Sequence, residues 1–351
     1  MKYRLSEVLT EFKEVNKDSL YEPVAVGKYG IRKRNEIYKK ELSDDYSKNK
    51  VIRKDNLIIG MGSNQIDVGV MLYDEVYSVS PAYHTYKINT EVIHSDYLEL
   101  LFKSNNATYF KKYSIATARQ GKKIDLKALL EEKIDVPSFE EQDNVVSKIN
   151  NIEELIAEEE KSILLLDELI KSRFIELFGD VNTNSKGLPL KCFDKIAINL
   201  DSKRVPITEK DRTPGPYPYY GASGIVDYVN DWIYDEDILL ISEDGANLLA
   251  RSTPIAFSVS GKCWVNNHAH VVKFSNQNTR KYIEYYFEQI SIEKYVTGAA
   301  QPKFSQGKLN SMLIPYADEA SQAIFATFVE QIDKLKFNCR YCFSYFIIYK
   351  F

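Results

Sequence analysis

The chain has 351 residues, 44% apolar and 27% charged, ordinary proportions for a soluble protein and enough for two domains with cores of their own. No segment reaches the roughly 18 apolar residues of a membrane span. The N-terminus, Met1-Lys-Tyr-Arg-Leu-Ser-Glu7, has no apolar targeting core, so a membrane-spanning helix is excluded and a cytoplasmic, reduced protein is expected.

Residues 1–20 read as a short amphipathic helix, with Leu5, Val8, Leu9 and Phe12 on one face. From Tyr21 the apolar period falls to two. Short β-rich runs follow (Val24–Val26, Asn56–Ile59, Val68–Val70, Val76–Val79), divided by Gly, Asn and Asp. Tyr97 to Tyr113 reads as helical, Arg119–Lys123 as a basic loop, and Ile134–Val136 as a last strand before Pro137. A long helix then runs to Phe178, with Gly179 as its C-cap. Along it Val145, Ile149, Ile152, Ile156, Ile163, Leu166, Ile170 and Leu177 fall at heptad-like steps, interrupted by Glu159 and Arg173. Such a rod is ~55–60 Å long at about 1.5 Å per residue and cannot bury its stripe alone.

After a linker at 183–190, the same order returns. β-rich runs (Gly224–Val226, Ile238–Ile241, Pro254–Phe257, His270–Phe274) precede a helical stretch from Arg280 to Tyr295, a loop through Gln301 and Lys303, and a strand into Pro315. From Gln142 and Gln322 onward the two helices match at a constant offset of 180, so that Phe325, Val329 and Ile332 answer Val145, Ile149 and Ile152. A period this long is a duplicated domain rather than a solenoid, whose repeats run about 20–50 residues. The expected divisions are a first globular unit at 1–137, a spacer helix at 138–180, a second unit at 181–315 and a shortened second helix at 316–338. Residues 339–351 read as an atypical tail, because Phe337 to Phe351 is dense in aromatics and lacks the charged face of a continuing amphipathic helix. That composition resembles translation past a frameshift or truncation.

The formal net charge of −4 is unevenly placed. Residues 1–136 carry 23 basic and 20 acidic groups, residues 138–178 carry 4 and 11, and residues 179–314 carry 15 of each. The acidity therefore sits on the spacer helix, and Lys28 to Lys54 holds 10 basic against 4 acidic residues. A nucleic-acid partner is not excluded, since the field that matters is local. Cys192 and Cys263 read as core thiols, and Cys339-Arg-Tyr-Cys342 offers only two of the four ligands a zinc site needs, so no metal is expected. Neither a GxxxxGK[ST] phosphate loop nor a GxGxxG fingerprint after a strand is found. An adenine-methyltransferase motif is also missing, and no catalytic residue is assigned.

The second unit carries Pro218-Tyr-Tyr-Gly-Ala-Ser-Gly-Ile-Val226, Asp237-Ile-Leu-Leu-Ile-Ser-Glu-Asp-Gly245, Trp264-Val-Asn-Asn-His-Ala-His270 and Ala300-Gln-Pro-Lys303. Together these strongly resemble the target-recognition domains of type I restriction-modification specificity subunits. Asp55–Ile59, Val79–Tyr83 and Arg119–Lys122 hold the equivalent places in the first unit, so the resemblance covers essentially the whole chain. It implies a mixed α/β fold with two β-rich recognition domains, joined by long helices packed as an antiparallel coiled coil with internal pseudo-two-fold symmetry. It also implies a non-catalytic reader of a split site in double-stranded DNA. Two methyltransferase subunits using S-adenosylmethionine, and restriction subunits using ATP and Mg2+, would be its partners.

Reading bases requires forked donors and acceptors on exposed loops. The candidates are Lys28, Tyr29, Arg32, Arg34, Arg119, Gln120 and Lys122 in the first unit, and Lys203, Arg204, Tyr219, Ser223, Gln301 and Lys303 in the second. Asn266, Asn267, His268 and His270 read better as structural hydrogen-bonders, with no acidic residue spaced to join them in metal or acid–base chemistry. The rival readings are a two-domain protein–protein scaffold and a self-sufficient endonuclease.

Overall fold

A computed structural model describes residues 1–27, 30–37, 45–61, 66–116, 122–298 and 300–348, without the side chains of 35, 61, 104–111, 116, 122 and 338–348. The chain divides into two compact units, with the division after residue 157 in the long helix Phe139–Phe178.

Each unit is closed by its own first strand. Lys2–Arg4 pairs antiparallel with Lys133–Asp135 in the first, and Leu190–Cys192 with Leu313–Pro315 in the second. The expected helix at 1–20 is a correction. Only Leu5–Val8 is helical, flanked by strands Lys2–Arg4 and Leu9–Glu11. Leu5, Val8 and Leu9 are nonetheless buried, so the apolar face was real while its period belonged to a mixed segment.

Each unit holds a four-stranded antiparallel sheet with the same winding. In the first, the order across the sheet is Leu9–Glu11, His84–Ile88, Asn56–Met61, Ile66–Met71. In the second it is Ile198–Asn199, Ala269–Lys273, Ile238–Ser242, Ala256–Val259. In both, the first strand in sequence lies beside the fourth, and the second beside the third. The central strands of the second unit's sheet are buried on both faces, which explains their unbroken apolar runs such as Ile238-Leu-Leu-Ile241. The second unit adds a sheet ordered Gly224–Val229, Pro214–Gly221, Lys262–Val265, Tyr234–Asp235, in which the middle pair runs parallel.

The helix that closes each unit starts in the same way. Gln142 is fully buried, with Nε2 donating to the Pro137 carbonyl (3.1 Å) and Oε1 accepting from the His94 N–H (2.8 Å). Gln322, 180 residues on, donates to the Ala317 carbonyl (2.8 Å) and accepts from the Thr279 hydroxyl (2.7 Å). Each glutamine ties its helix to the start of an earlier one, Ser95–Tyr109 or Gln277–Gln289. The first turns are capped by side chains, reciprocally by Ser138 with Glu141 and, at the second helix, by the Asp318 carboxylate accepting from the Ser321 N–H and hydroxyl.

The helical seam is realised in part. In the second unit Ile170, Phe174 and Phe178 pack with Phe325, Val329 and Ile332, while Ile163 and Leu166 are half-buried. The contacts Phe178–Phe325, Arg173–Phe328 and Asp167–Lys336 ascend one helix as they descend the other, so the two run antiparallel. In the first unit Ile149, Ile152 and Ile156 are half-buried, but Val145 is 41% exposed and Val146 is buried in its stead. Phe325, the counterpart of Val145, is fully buried because the Phe174, Phe178 and Tyr285 rings receive it. The second helix is also longer than expected. Its backbone is helical from Glu319 to Ile348, ten residues beyond the expected end at 338, because residues 339–348 contain no Gly or Pro and their aromatic and aliphatic side chains carry only a small helix penalty.

Candidate nucleic-acid interface

One end of the second unit gathers the turns that follow its strands. The strand pair Pro214–Gly221 and Gly224–Val229 closes on Ala222-Ser223, with Gly224 at φ +128°. That turn is fastened to the main sheet by the Ser242 hydroxyl, which donates to the Ala222 carbonyl (2.5 Å). Beside it lie Asn266–His268, Glu243-Asp244 and the Gln301–Lys303 loop, which bonds back through Gly245 N–H to Pro302 and Phe304 N–H to Glu243.

Beneath this rim is a buried ion network. His270 is fully buried; its Nδ1 lies 2.6 Å from Asp201 Oδ2 and 3.6 Å from Glu243, and its Nε2 lies 2.7 Å from the Phe304 carbonyl. Hydrogen bonds to a carboxylate on one side and a carbonyl on the other fix the orientation of the ring. Arg204 bonds Glu243 Oε2 (2.7 Å) and the Ala269 carbonyl (2.8 Å) and lies 3.4 Å from Asp201. Lys303 Nζ reaches Glu243 Oε1 at 3.3 Å. Burial alone would push the Asp201 carboxyl up, but the His270 hydrogen bond and charge, the Val271 N–H and Arg204 together hold it below the usual carboxylate range.

Asp201, Glu243 and His270 present ligand-type atoms within 4.8 Å of one another. A divalent ion does not fit there, because Arg204 and Lys303 already neutralise the carboxylates and the Phe304 carbonyl takes the second imidazole nitrogen. The acidic partners that sequence spacing failed to supply therefore come from distant segments, Asp201 and Glu243 for His270, and Asp244 for His268 at 2.9 Å. Burial also pushes the Cys263 thiol up to about 12, leaving it an inert core group.

The second unit's candidates divide accordingly. Ser223, Gln301 and Lys303 are exposed on the rim. Lys203 is exposed as well and faces Glu236 at 3.8 Å. Two candidates are corrected. The Arg204 side chain is only 13% exposed and engaged throughout by the network. Tyr219 is 1% exposed, with its hydroxyl bonded to the Ile207 main chain, because the turn after Asn199 folds beneath the rim. Sequence reasoning missed Asp201 and Glu243. The Ser-Glu-Asp-Gly motif pointed at Glu243, but nothing local marked Asp201.

In the first unit Arg32 is exposed on the strand Gly30–Lys33, and the Arg34 guanidinium stands 5.9 Å from the Tyr46 ring. Lys28, Tyr29, Arg119 and Gln120 lie outside the described residues, as does the side chain of Lys122. Gly60 is needed where it stands, since a Cβ there would meet the Tyr83 ring at 1.8 Å.

The family model for the type I restriction modification DNA specificity domain matches residues 1–166 and again 196–338. The chain belongs to that family. DNA-sequence recognition is the general role of these specificity subunits. A putative type I restriction enzyme specificity subunit of Haemophilus influenzae is 32% identical over 125 residues, which are 36% of this chain and 32% of that protein. The chain thus spans about a third of that relative's length. Two solved structures share the fold of the specificity subunit across the whole chain. One is the type I restriction-modification S subunit from M. genitalium, with TM-score 0.56, 13% identity and 93% of that chain covered. The other comes from work on complex assembly and conformational transition of the type I system, with TM-score 0.55, 14% identity and 95% covered. Among the described residues no helix is long and apolar enough to cross a membrane.

Proposed function

We propose that this specificity subunit reads a bipartite site in double-stranded DNA, one half with each globular unit, and carries no catalytic centre. Two methyltransferase subunits dock on it, with restriction subunits added. S-adenosylmethionine, ATP and Mg2+ serve those partners in a cytoplasmic complex. The observation that carries this reading is the duplication: two sheets wound in the same order, each closed by a helix anchored on an equivalent buried glutamine. A protein that holds two copies of one architecture, with different side chains on their loops, is suited to a ligand with two different halves.

The reading is tested by expressing the chain with cognate methyltransferase subunits and mapping methylated adenines on plasmid DNA. A single motif of two short specified halves around an unspecified spacer is expected. Binding should weaken steeply with salt, because neutralised phosphates release counterions. No motif, together with salt-insensitive binding to a protein partner, would instead favour the scaffold. Cleavage of DNA by the purified chain with Mg2+ alone would favour the endonuclease.

A further inference from the structure

We infer that the loop Val205–Arg212 sets the base preference of the second unit, and that Tyr219 and Trp264 are its positioning residues. The inference rests on the DNA-reading function proposed above and names the side chains that would carry it.

A recognition element needs a fixed main chain and free side chains, since order lost on binding weakens discrimination. The loop meets both conditions. The Tyr219 hydroxyl accepts from the Ile207 N–H (3.1 Å) and donates to the Ile207 carbonyl (3.3 Å), gripping one residue's main chain from both sides. The Trp264 indole donates to the Val205 carbonyl (2.6 Å), and Arg212 Nε donates to the Ile207 carbonyl (3.3 Å). Arg212 is itself fixed, its guanidinium 4.6 Å from the Tyr219 ring and bonded to Asp227. Within the loop, Thr208 and Asp211 bond each other and close a 3-10 turn at Glu209–Asp211.

Apart from the Arg212 contacts with Asp227 and the Tyr219 ring, these anchors hold backbone or lie within the loop, and Val205, Glu209 and Lys210 are exposed. Glu209 and Lys210 form no ion pair among the described residues. The loop also starts in the right place. It leaves directly from Arg204, whose guanidinium bonds the Asn267 and Ala269 carbonyls, and its main chain is held by Tyr219 of the strand Pro214–Gly221 and Trp264 of the strand Lys262–Val265. Side chains of these three types match base-edge chemistry: Lys donates to guanine acceptors, Glu accepts from the cytosine amine, and Val packs on the thymine methyl. Tyr219 and Trp264, by contrast, are spent on holding the loop.

The test uses the assembled complex of the full chain with its methyltransferase subunits, bound to a randomised double-stranded DNA library and sequenced after selection. Wild type is compared with V205A, E209A, K210A and Y219F. For at least one of the three exposed positions, preference should fall by about tenfold at one or two base positions of one half-site, the other half-site staying unchanged. Y219F should blur the same positions while preserving overall salt-dependent affinity, which loss of fold would not do. An undiminished wild-type preference in all three exposed variants, with their unfolding unchanged, overturns the inference while leaving bipartite reading intact. A wild-type complex that selects no motif overturns both.

Discussion

Arg204 and Lys303 lie in one ion network and both approach Glu243, yet they should fail in opposite ways. Replacing Arg204 with Ala leaves Asp201 and Glu243 short of a buried cation and strips the Ala269 carbonyl of its donor. Removing one partner of a buried charge pair costs about 3–5 kcal/mol, because the other charge stays behind unpaired. The lower part of that range is expected here, since His270 and Lys303 remain to share the two carboxylates. R204K should recover only part of the loss, since an ammonium keeps the charge but cannot fork between a carboxylate and a carbonyl. The assay is urea unfolding followed by tryptophan fluorescence. Both tryptophans of the chain, Trp232 and Trp264, lie in the second unit, so the signal reports that unit alone. R204A should lower its midpoint with the slope unchanged. An R204A protein with a wild-type midpoint and selectively weakened DNA binding would refute the reasoning and make Arg204 a direct contact.

Lys303, whose side chain is 54% exposed, should show the converse. K303A should leave the unfolding free energy within about 0.5 kcal/mol of wild type and reduce the slope of log affinity against log salt by about 0.9, the share of one phosphate contact. The carboxyl of Asp201 titrates below its ordinary value in the fold, so its stabilisation is present above the unfolded value and is lost as pH falls through the folded one. D201N should therefore destabilise the second unit at neutral pH and flatten the acid limb of its stability curve, as read by fluorescence from pH 6 to 2. Replacing Gln322 with Leu leaves the Ala317 carbonyl unpaired, at about 1–3 kcal/mol, and leaves the Thr279 hydroxyl only the longer contact to the Tyr316 hydroxyl (3.4 Å). Q322L should lower the tryptophan-reported transition and Q142L should not, as urea titration of both would show.

The duplication was legible because it is written in local chemistry. A proline or short apolar strand leads into acidic first-turn residues and then apolar residues at helical spacing, and these need no knowledge of distant segments. The work of Gln142 and Gln322 was not legible. A glutamine near a helix start is ordinarily solvated, and only His94 and Thr279, brought from 48 and 43 residues away, make it a buried joint. Val145 was misplaced for a related reason: its sequence match to Phe325 is sound, but an aromatic cluster exists to bury the phenylalanine, and none among the described residues of the first unit buries the valine. The candidate rim was half legible. Ser223, Gln301 and Lys303 sit in turns that punctuation residues announce, whereas Arg204 and Tyr219 resemble contact residues in sequence and become scaffolding only when the 201–207 turn folds against the strands behind it.

That division has a consequence for how such a chain can change its target. The motif residues that make the second unit recognisable are largely occupied: Tyr219 with a loop's main chain, Trp264 with the same loop, Glu243 with Arg204 and Lys303, and His270 with Asp201 and Phe304. Altering them spends stability. The groups that remain free to meet a ligand stand on turns whose backbone those residues fix, so they can be exchanged at a cost usually within ±0.5 kcal/mol. A fold arranged in this way separates the chemistry that keeps it folded from the chemistry that selects its sequence. On the bipartite reading proposed above, carrying two copies on one chain would let either half of the target change while the other half stays as it is.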